Sequence, residues 1–169
     1  IMTSNKTSVS GRVLSIVFGI LAIFSVTGKW LGLKDIPIIL GSYKMERYSL
    51  FEIRDFLDRF NFYVQNDTVE TYSILLLLMT TVVILLISIT ILTSLKGTKP
   101  AKVMSVLSII SAVILSGAVI RFVIKTNLYV EDNTYGGVES LLELTAKPWL
   151  LIVFTTAQRL FLNIKAKNM

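Results

Sequence analysis

Residues 72–95 are the run YSILLLLMTTVVILLISITILTSL, which contains no charged side chain. A bilayer core is about 30 Å thick and requires about 20 mostly apolar residues in helical form, because lipid offers the backbone no hydrogen-bond partner. This run therefore predicts a membrane-spanning helix. Three further windows share its apolar character, and the four predicted spans are about 13–30, 72–95, 103–124 and 148–164.

The composition of the whole chain agrees with a membrane protein. Its 169 residues are 53% apolar and 17% charged, with a mean hydropathy of +0.70, whereas soluble domains are nearer 45–50% apolar and about 25% charged. The chain contains no His and no Cys, which excludes disulfides, thiol redox chemistry, imidazole catalysis and nearly all zinc or copper sites. We expect a single membrane domain over 1–169, with no cofactor and no metal.

The signs of the charges are segregated along the chain. All 11 acidic residues fall in two longer connections, 31–71 and 126–147. The positive-inside rule then predicts that both termini and the turn after the second span are cytoplasmic, and that both longer loops are outside. This arrangement explains the net charge of +6 without a nucleic-acid partner. The frequent use of Ile, Leu and Lys favours a bacterial plasma membrane. The bases of the inner segments are Lys6, Arg12, Lys96, Lys99, Lys102, Lys165 and Lys167.

The first outer loop carries signals for local structure. Short strands are predicted at about 36–40 and 43–48, and Ser49 with Glu52 forms a capping box that predicts an amphipathic helix of about three turns. The fold class is therefore an all-α membrane protein, a bundle of four transmembrane helices with a small extracytoplasmic α/β subdomain between helices 1 and 2. Within the amphipathic helix, the aromatic stripe either covers the bundle or contacts lipid or a partner through Phe51, Phe56 and Phe60.

The second outer loop contains a predicted strand at Leu128–Val130 and ends at Pro148, which suits the first turn of the fourth helix. Trp30 and Trp149 are predicted at the outer interface, where indoles are enriched.

Small residues predict the helix contacts, since membrane helices associate by close packing of small side chains. The first and third spans each carry a stripe of small residues. The two stripes lie either against each other or against the other two helices. The intramembrane hydroxyls leave a second interpretation, a polar path through the bundle. The stripes are Ser15, Gly19 and Ala22 on the first span and Ser108, Ala112 and Ser116 on the third.

Two arginines are candidates for lipid or partner contact, because charge inside a membrane is costly. Arg159 is predicted in the inner half of the bilayer beside Gln158, where it either extends to the lipid phosphates or pairs with a partner's carboxylate. Arg121 is predicted near the outer end of the third span, where it reaches headgroups or loop carboxylates.

The order of parts, together with Trp30-Leu31-Gly32-Leu33 at the start of the first outer loop, resembles the claudin-like four-span layout. The resemblance covers the whole chain as architecture and implies both ends inside and a long first outer loop with strands and a helix. The paired loop cysteines and the second Trp of that family are absent, so its junction-forming function is not implied. The segment Tyr48 to Ile53, Y-S-L-F-x-I in pattern, is also similar to that of small bacterial four-span proteins.

The chain shows no Walker A, G-x-S-x-G or paired intramembrane carboxylate pattern. We therefore expect a non-catalytic integral membrane protein, an accessory, adaptor or immunity-type subunit surrounded by membrane lipids. It would bind a partner membrane protein or a second copy of itself through its outer loops and helices. The alternatives are a channel or carrier subunit for a lipid or small solute, and a membrane enzyme acting on lipid at the outer surface with Glu52, Asp55 or Asp58.

Overall fold

A computed structural model describes residues 7–33, 47–55, 67–96, 99–133 and 142–164. This part of the chain is mostly helical and includes a small three-stranded sheet. In chain order the elements are α1 (Val9–Thr27), β1 (Lys29–Leu33), β2 (Arg47–Ser49), a 3₁₀ turn (Leu50–Glu52), α2 (Asp67–Ser94), α3 (Lys99–Asn133), β3 (Leu142–Leu144) and α4 (Lys147–Leu162).

Three of the described helices are long and apolar enough to cross a membrane, which supports the predicted membrane class. They are α1, the part Glu70–Ser94 of α2 and the part Lys99–Leu128 of α3. The fourth helix, α4, has 16 residues and is about 24 Å long at 1.5 Å per residue. It is shorter than the roughly 30 Å of a bilayer core, so a fourth span stays a prediction.

The four helices form a ring in chain order. Helix α1 packs most extensively against α4 and also against α2, while α3 packs against α2 and α4. The ring is closed next to the two ends of the chain, where Thr7 Oγ1 donates to the Leu162 carbonyl at 2.7 Å and Ser8 N–H donates to the Ile164 carbonyl at 2.9 Å. The start of α1 and the end of α4 therefore lie at the same end of the bundle.

The small residues of α1 and α3 are buried. On α1 the stripe of Ser15, Gly19 and Ala22 begins one turn earlier than the sequence analysis placed it, at Gly11. A Cβ at Gly11 would lie 2.5 Å from the carbonyl oxygen of Phe161 in α4, so the two backbones approach closely. Ser108 of the α3 stripe contacts Thr90 of α2, with 3.0 Å between the two hydroxyl oxygens. The buried members of the α3 stripe are Ser108, Ala112 and Ser116.

The sheet has the antiparallel order β2-β1-β3. The first helix ends at Thr27, and the chain continues in extended conformation through Gly28 into β1. The predicted continuation of the first span to residue 30 is therefore wrong, because Trp30 belongs to a strand. Strand β2 coincides with the end of the predicted strand at 43–48, whereas the predicted strand at 36–40 lies outside the described residues.

The predicted strand at Leu128–Val130 is also wrong, because α3 remains helical to Asn133. The strand of this loop lies instead at Leu142–Leu144. The β-branched and aromatic character of the earlier segment favours a strand locally, but helical hydrogen bonding continues from the span into it. The capping box at Ser49 and Glu52 is present and opens the 3₁₀ turn. Beyond Asp55, the predicted amphipathic helix lies outside the described residues.

Candidate functional site

Strand β1 joins the sheet to the helix bundle. Trp30 is fully buried, and its Nε1–H donates to the Ser25 carbonyl at 2.7 Å, near the end of α1. Thr145, just before α4, donates from its N–H to the Trp30 carbonyl at 2.9 Å and from its hydroxyl to the Lys29 carbonyl at 2.7 Å. We call this end of the bundle, with the three strands and the 3₁₀ turn, the sheet end.

The two indoles have different roles in this structure. Trp30, which the sequence analysis placed at the outer interface, is a core residue with 0% exposure, whereas Trp149 is 61% exposed. Burial of Trp30 is possible because the Ser25 carbonyl satisfies its single N–H donor. Only Trp149 is therefore placed to contact a membrane interface.

Asn127 holds the edge of the sheet. Its Nδ2–H donates to the Leu142 carbonyl at 2.9 Å, and its Oδ1 accepts from Leu142 N–H at 2.9 Å. The side-chain amide thus satisfies both backbone groups of one edge residue, as a neighbouring strand would. Because Asn127 lies on the extension of α3 beyond the predicted span, this extension positions β3.

Glu52 links the 3₁₀ turn to the strands. Lys29 Nζ lies 2.7 and 2.6 Å from the two carboxylate oxygens, and Ser49 N–H donates to Oε2 at 2.8 Å. The Lys29 ammonium and the Ser49 amide both stabilise the charged carboxylate, which lowers the pKa of Glu52 below its usual value. Glu52 therefore has a structural role at the sheet end.

Phe51 is the described residue of the predicted aromatic stripe. Leu50 and Ile53 on either side are buried, whereas Phe51 is 45% exposed. Burial of Leu50 and Ile53 thus fixes the turn, and the aromatic ring of Phe51 is exposed at the surface. Arg47, Arg54 and Asp55 are exposed nearby in sequence, and two further predicted contact residues, Phe56 and Phe60, lie outside the described residues.

The opposite end of the bundle carries the described basic residues of the predicted inner segments. Arg12 Nη1–H donates to the Leu95 carbonyl, at the end of α2, at 2.9 Å. Arg159 Nη1–H donates to the Lys102 carbonyl at 3.1 Å and to Ser105 Oγ at 3.5 Å, in the first turns of α3. We call this surface the basic end, which consists of Arg12, Lys96, Lys99, Lys102 and Arg159.

Gln158 does not lie where the sequence analysis expected a lipid or partner contact. Its side chain is 0% exposed, and its Nε2 would lie 2.6 Å from a Cβ on Gly19 of α1. Gln158 lies on the face of α4 that packs into the bundle, whereas Arg159 is half-buried at the margin of that face. Neither polar atom of the Gln158 amide has a hydrogen-bond partner among the described residues. Arg121, the other predicted contact, is exposed on α3.

Hydroxyl groups join neighbouring helices in two successive turns of α2. Ser15 Oγ lies 3.2 Å from Ser94 Oγ, which links α1 to α2, and the Thr90 to Ser108 pair links α2 to α3. Several other buried hydroxyls bond to carbonyls of their own helices, as Thr80 does to Leu76 and Thr155 to Leu151, whereas those of Ser116 and Thr126 have no partner among the described residues. These bonds use the hydroxyls in helix packing.

Gly11 and Asn127 were not predicted as contact residues from the sequence. Gly11 carried a readable signal, because it lies four residues before Ser15 and continues the same helical stripe. Asn127 carried none, because its partner Leu142 was assigned to no strand. Among the described residues, no group of three or more Asp or Glu is arranged to hold a metal ion. No family model, curated protein or solved structure matches the chain.

Proposed function

We propose that the chain is a non-catalytic four-span membrane protein of the bacterial plasma membrane. In this proposal both termini are cytoplasmic, and the sheet end is an outer surface that recognises another membrane component. The protein would act as an accessory, adaptor or immunity-type subunit. The observation that carries the proposal is the rigid attachment of an exposed aromatic residue, Phe51, to a sheet anchored on three helices.

The contacts of the sheet end support a binding surface. Trp30, Asn127 and Thr145 fix the strands to α1, α3 and the start of α4 through the hydrogen bonds described above. A preorganised surface loses less conformational entropy when it binds a partner. Exposed aromatic rings supply large contact areas and are enriched in protein interfaces.

The state of Glu52 supports a binding role over a catalytic one. A general acid at neutral pH requires a raised pKa, whereas Lys29 and Ser49 lower the pKa of Glu52. The carboxylate is also occupied by three short contacts. The alternative of a membrane enzyme therefore has no support from the surroundings of Glu52.

Site-specific photo-crosslinking in native membranes tests the proposal. A photoreactive phenylalanine analogue at Phe51 should give one discrete crosslinked protein species. The matched control is the same analogue at Leu85, which is 56% exposed in the middle of α2 and would face lipid. A defined product from Phe51 and none from Leu85 supports recognition at the sheet end.

If Phe51 gives only lipid adducts while the protein remains folded, recognition through this surface is rejected. A crosslink to a second copy of the chain would identify the partner as a homo-oligomer. The same analogue at exposed Arg54 probes this surface from a second position. If Arg54 gives a protein crosslink and Phe51 does not, the photoprobe at Phe51 is poorly aligned and the contact itself is present.

The second candidate function is a channel or carrier subunit. It is favoured by the buried polar groups that the four helices contribute to the bundle interior, including the Gln158 amide, which has no partner among the described residues. Reconstituted liposomes should then leak a small solute, and Gln158→Leu should change the rate. Liposomes that remain tight with both forms would reject conduction.

A further inference from the structure

The basic end has one sign of charge among the described side chains. Its five members are arginines and lysines, whereas the described acidic side chains Glu52, Asp55, Glu70 and Glu143 belong to the sheet end. Lys96 and Lys99 are exposed, and Arg12 and Arg159 are half-buried. Arg12, Lys96, Lys99 and Arg159 therefore present cations without a carboxylate partner among the described side chains.

Two guanidinium groups of the basic end are held in place by helix termini. Arg12 is fixed on the Leu95 carbonyl, which places it beside Lys96. Arg159 is fixed on the Lys102 carbonyl in the first turn of α3. A guanidinium has five N–H donors, and Nε of Arg12 is buried with no partner among the described residues. Arg and Lys in such pairs provide the directional and point-charge contacts that phosphate groups accept.

The depth of the basic end matches a lipid headgroup layer. Between Lys102 and Arg121, helix α3 rises about 28 Å at 1.5 Å per residue, close to the roughly 30 Å of a bilayer core. A span over Val103 to Ile120 therefore places Lys102 and its neighbours where the helices leave the hydrocarbon. This depth favours a phosphate group attached to lipid over one free in solution.

We propose that the basic end binds the phosphate groups of anionic phospholipids in the cytoplasmic leaflet. The proposal rests on the proposed membrane orientation but not on recognition at the sheet end. The clamped arginines orient the phosphates, and the exposed lysines at the α2–α3 turn add long-range attraction. Anionic lipid thus supplies the negative charge that the described part of this end lacks.

Native mass spectrometry of the purified full chain tests the proposal with phosphatidylglycerol and phosphatidylcholine at equal concentrations. The wild type should retain phosphatidylglycerol in preference to phosphatidylcholine. K96Q/K99Q should reduce that preference by about fivefold for each lysine removed, which corresponds to about 1 kcal/mol per basic residue near an anionic surface. Arg12 and Arg159 are left unchanged because they bond helix ends.

The matched control is R47Q/K125Q, which removes the same charge from exposed positions at the other end of the bundle. This variant should keep the phosphatidylglycerol preference, and both variants should unfold at the wild-type temperature in phosphatidylcholine. Equal retention of the two lipids by the wild type overturns the proposal, as does an equal loss in both variants. Displacement of the lipid by inorganic phosphate or an acidic peptide would assign the site to a soluble anion and also overturn it.

The experiment separates this proposal from the proposed function, because the purified chain contains no partner protein. A failed Phe51 crosslink leaves the lipid preference measurable. Conversely, loss of the lipid preference leaves recognition at the sheet end intact.

Discussion

Gly11 shows how one missing side chain sets the distance between two helices. Its absent Cβ would meet the Phe161 carbonyl at 2.5 Å, and this carbonyl cannot rotate away as a side chain could. We predict that Gly11→Ala moves α1 away from α4 and lowers the free energy of unfolding by about 1–3 kcal/mol, the usual cost of overpacking. Thermal unfolding in detergent measures the effect.

Gly117 is the control for this substitution, because it lies within helix α3 and a Cβ there would meet nothing within 4 Å. Gly117→Ala should be neutral or stabilising by about 0.5–1 kcal/mol, since alanine loses less backbone entropy in a helix. Equal effects at the two glycines would contradict the close approach at Gly11.

Gln158 is expected to lower the stability of the bundle. Its amide is fully buried and both polar atoms lack partners among the described residues, and each buried unsatisfied polar group costs about 1–3 kcal/mol. Gln158→Met keeps a similar length without the amide and should raise the unfolding temperature. Gln158→Glu should lower it, because burial disfavours the added charge. A less stable methionine variant would show that the amide has a partner in the membrane.

For single residues, the sequence showed which side chains are polar or small, but not whether each one faces the bundle interior or its surface. The helix at 148–164 was predicted, but the sequence did not show that the bundle interior lies on the side of Gln158 and its margin on the side of Arg159. That choice depends on where α1 packs, which is set by Gly11, Gly19 and the residues that contact them.

Helix α3 is long and apolar enough to cross a membrane, and it also supports the sheet. Its 35 residues extend to about 52 Å at 1.5 Å per residue, well beyond a bilayer core. The extension carries Asn127, which binds both backbone groups of Leu142. Local propensity predicted a strand at Leu128–Val130 because it does not include these long-range bonds. The short β3 strand was missed for the same reason.

Asn127→Ala should release β3 from α3. Loss of two hydrogen bonds, each worth about 0.5–1.5 kcal/mol net, should destabilise the sheet end and speed hydrogen exchange of the Leu142 amide. Asn127→Asp keeps an acceptor for that amide and should slow its exchange relative to the alanine variant. Unchanged exchange in Asn127→Ala would contradict the role of this side chain.

The described part of the chain is a ring of four helices with a sheet at one end and the basic end at the other. Hydropathy predicted a helix in each of the four windows, because apolar length is a local property of the chain, and three of the four helices are long and apolar enough to cross a membrane. It did not predict the ring order, because that order arises from contacts between distant residues, such as Ser8 with Ile164 and Gly19 with Gln158. The fourth helix illustrates the limit, since α4 is shorter than a bilayer core and its place in the bundle comes from packing against α1 and α3.

The orientation of this ring in the membrane is testable with single cysteines, because the native chain has none. Arg47 at the sheet end and Lys96 at the basic end are both exposed. A membrane-impermeant maleimide should label Arg47→Cys in intact cells and Lys96→Cys only after permeabilisation, because basic turns remain cytoplasmic. Val82→Cys, at a position 50% exposed within α2, should resist labelling in both conditions because lipid covers it. The reverse pattern at Arg47 and Lys96 would place the sheet end in the cytoplasm and reject both proposals. Labelling at Val82 in intact cells would contradict a membrane-spanning α2.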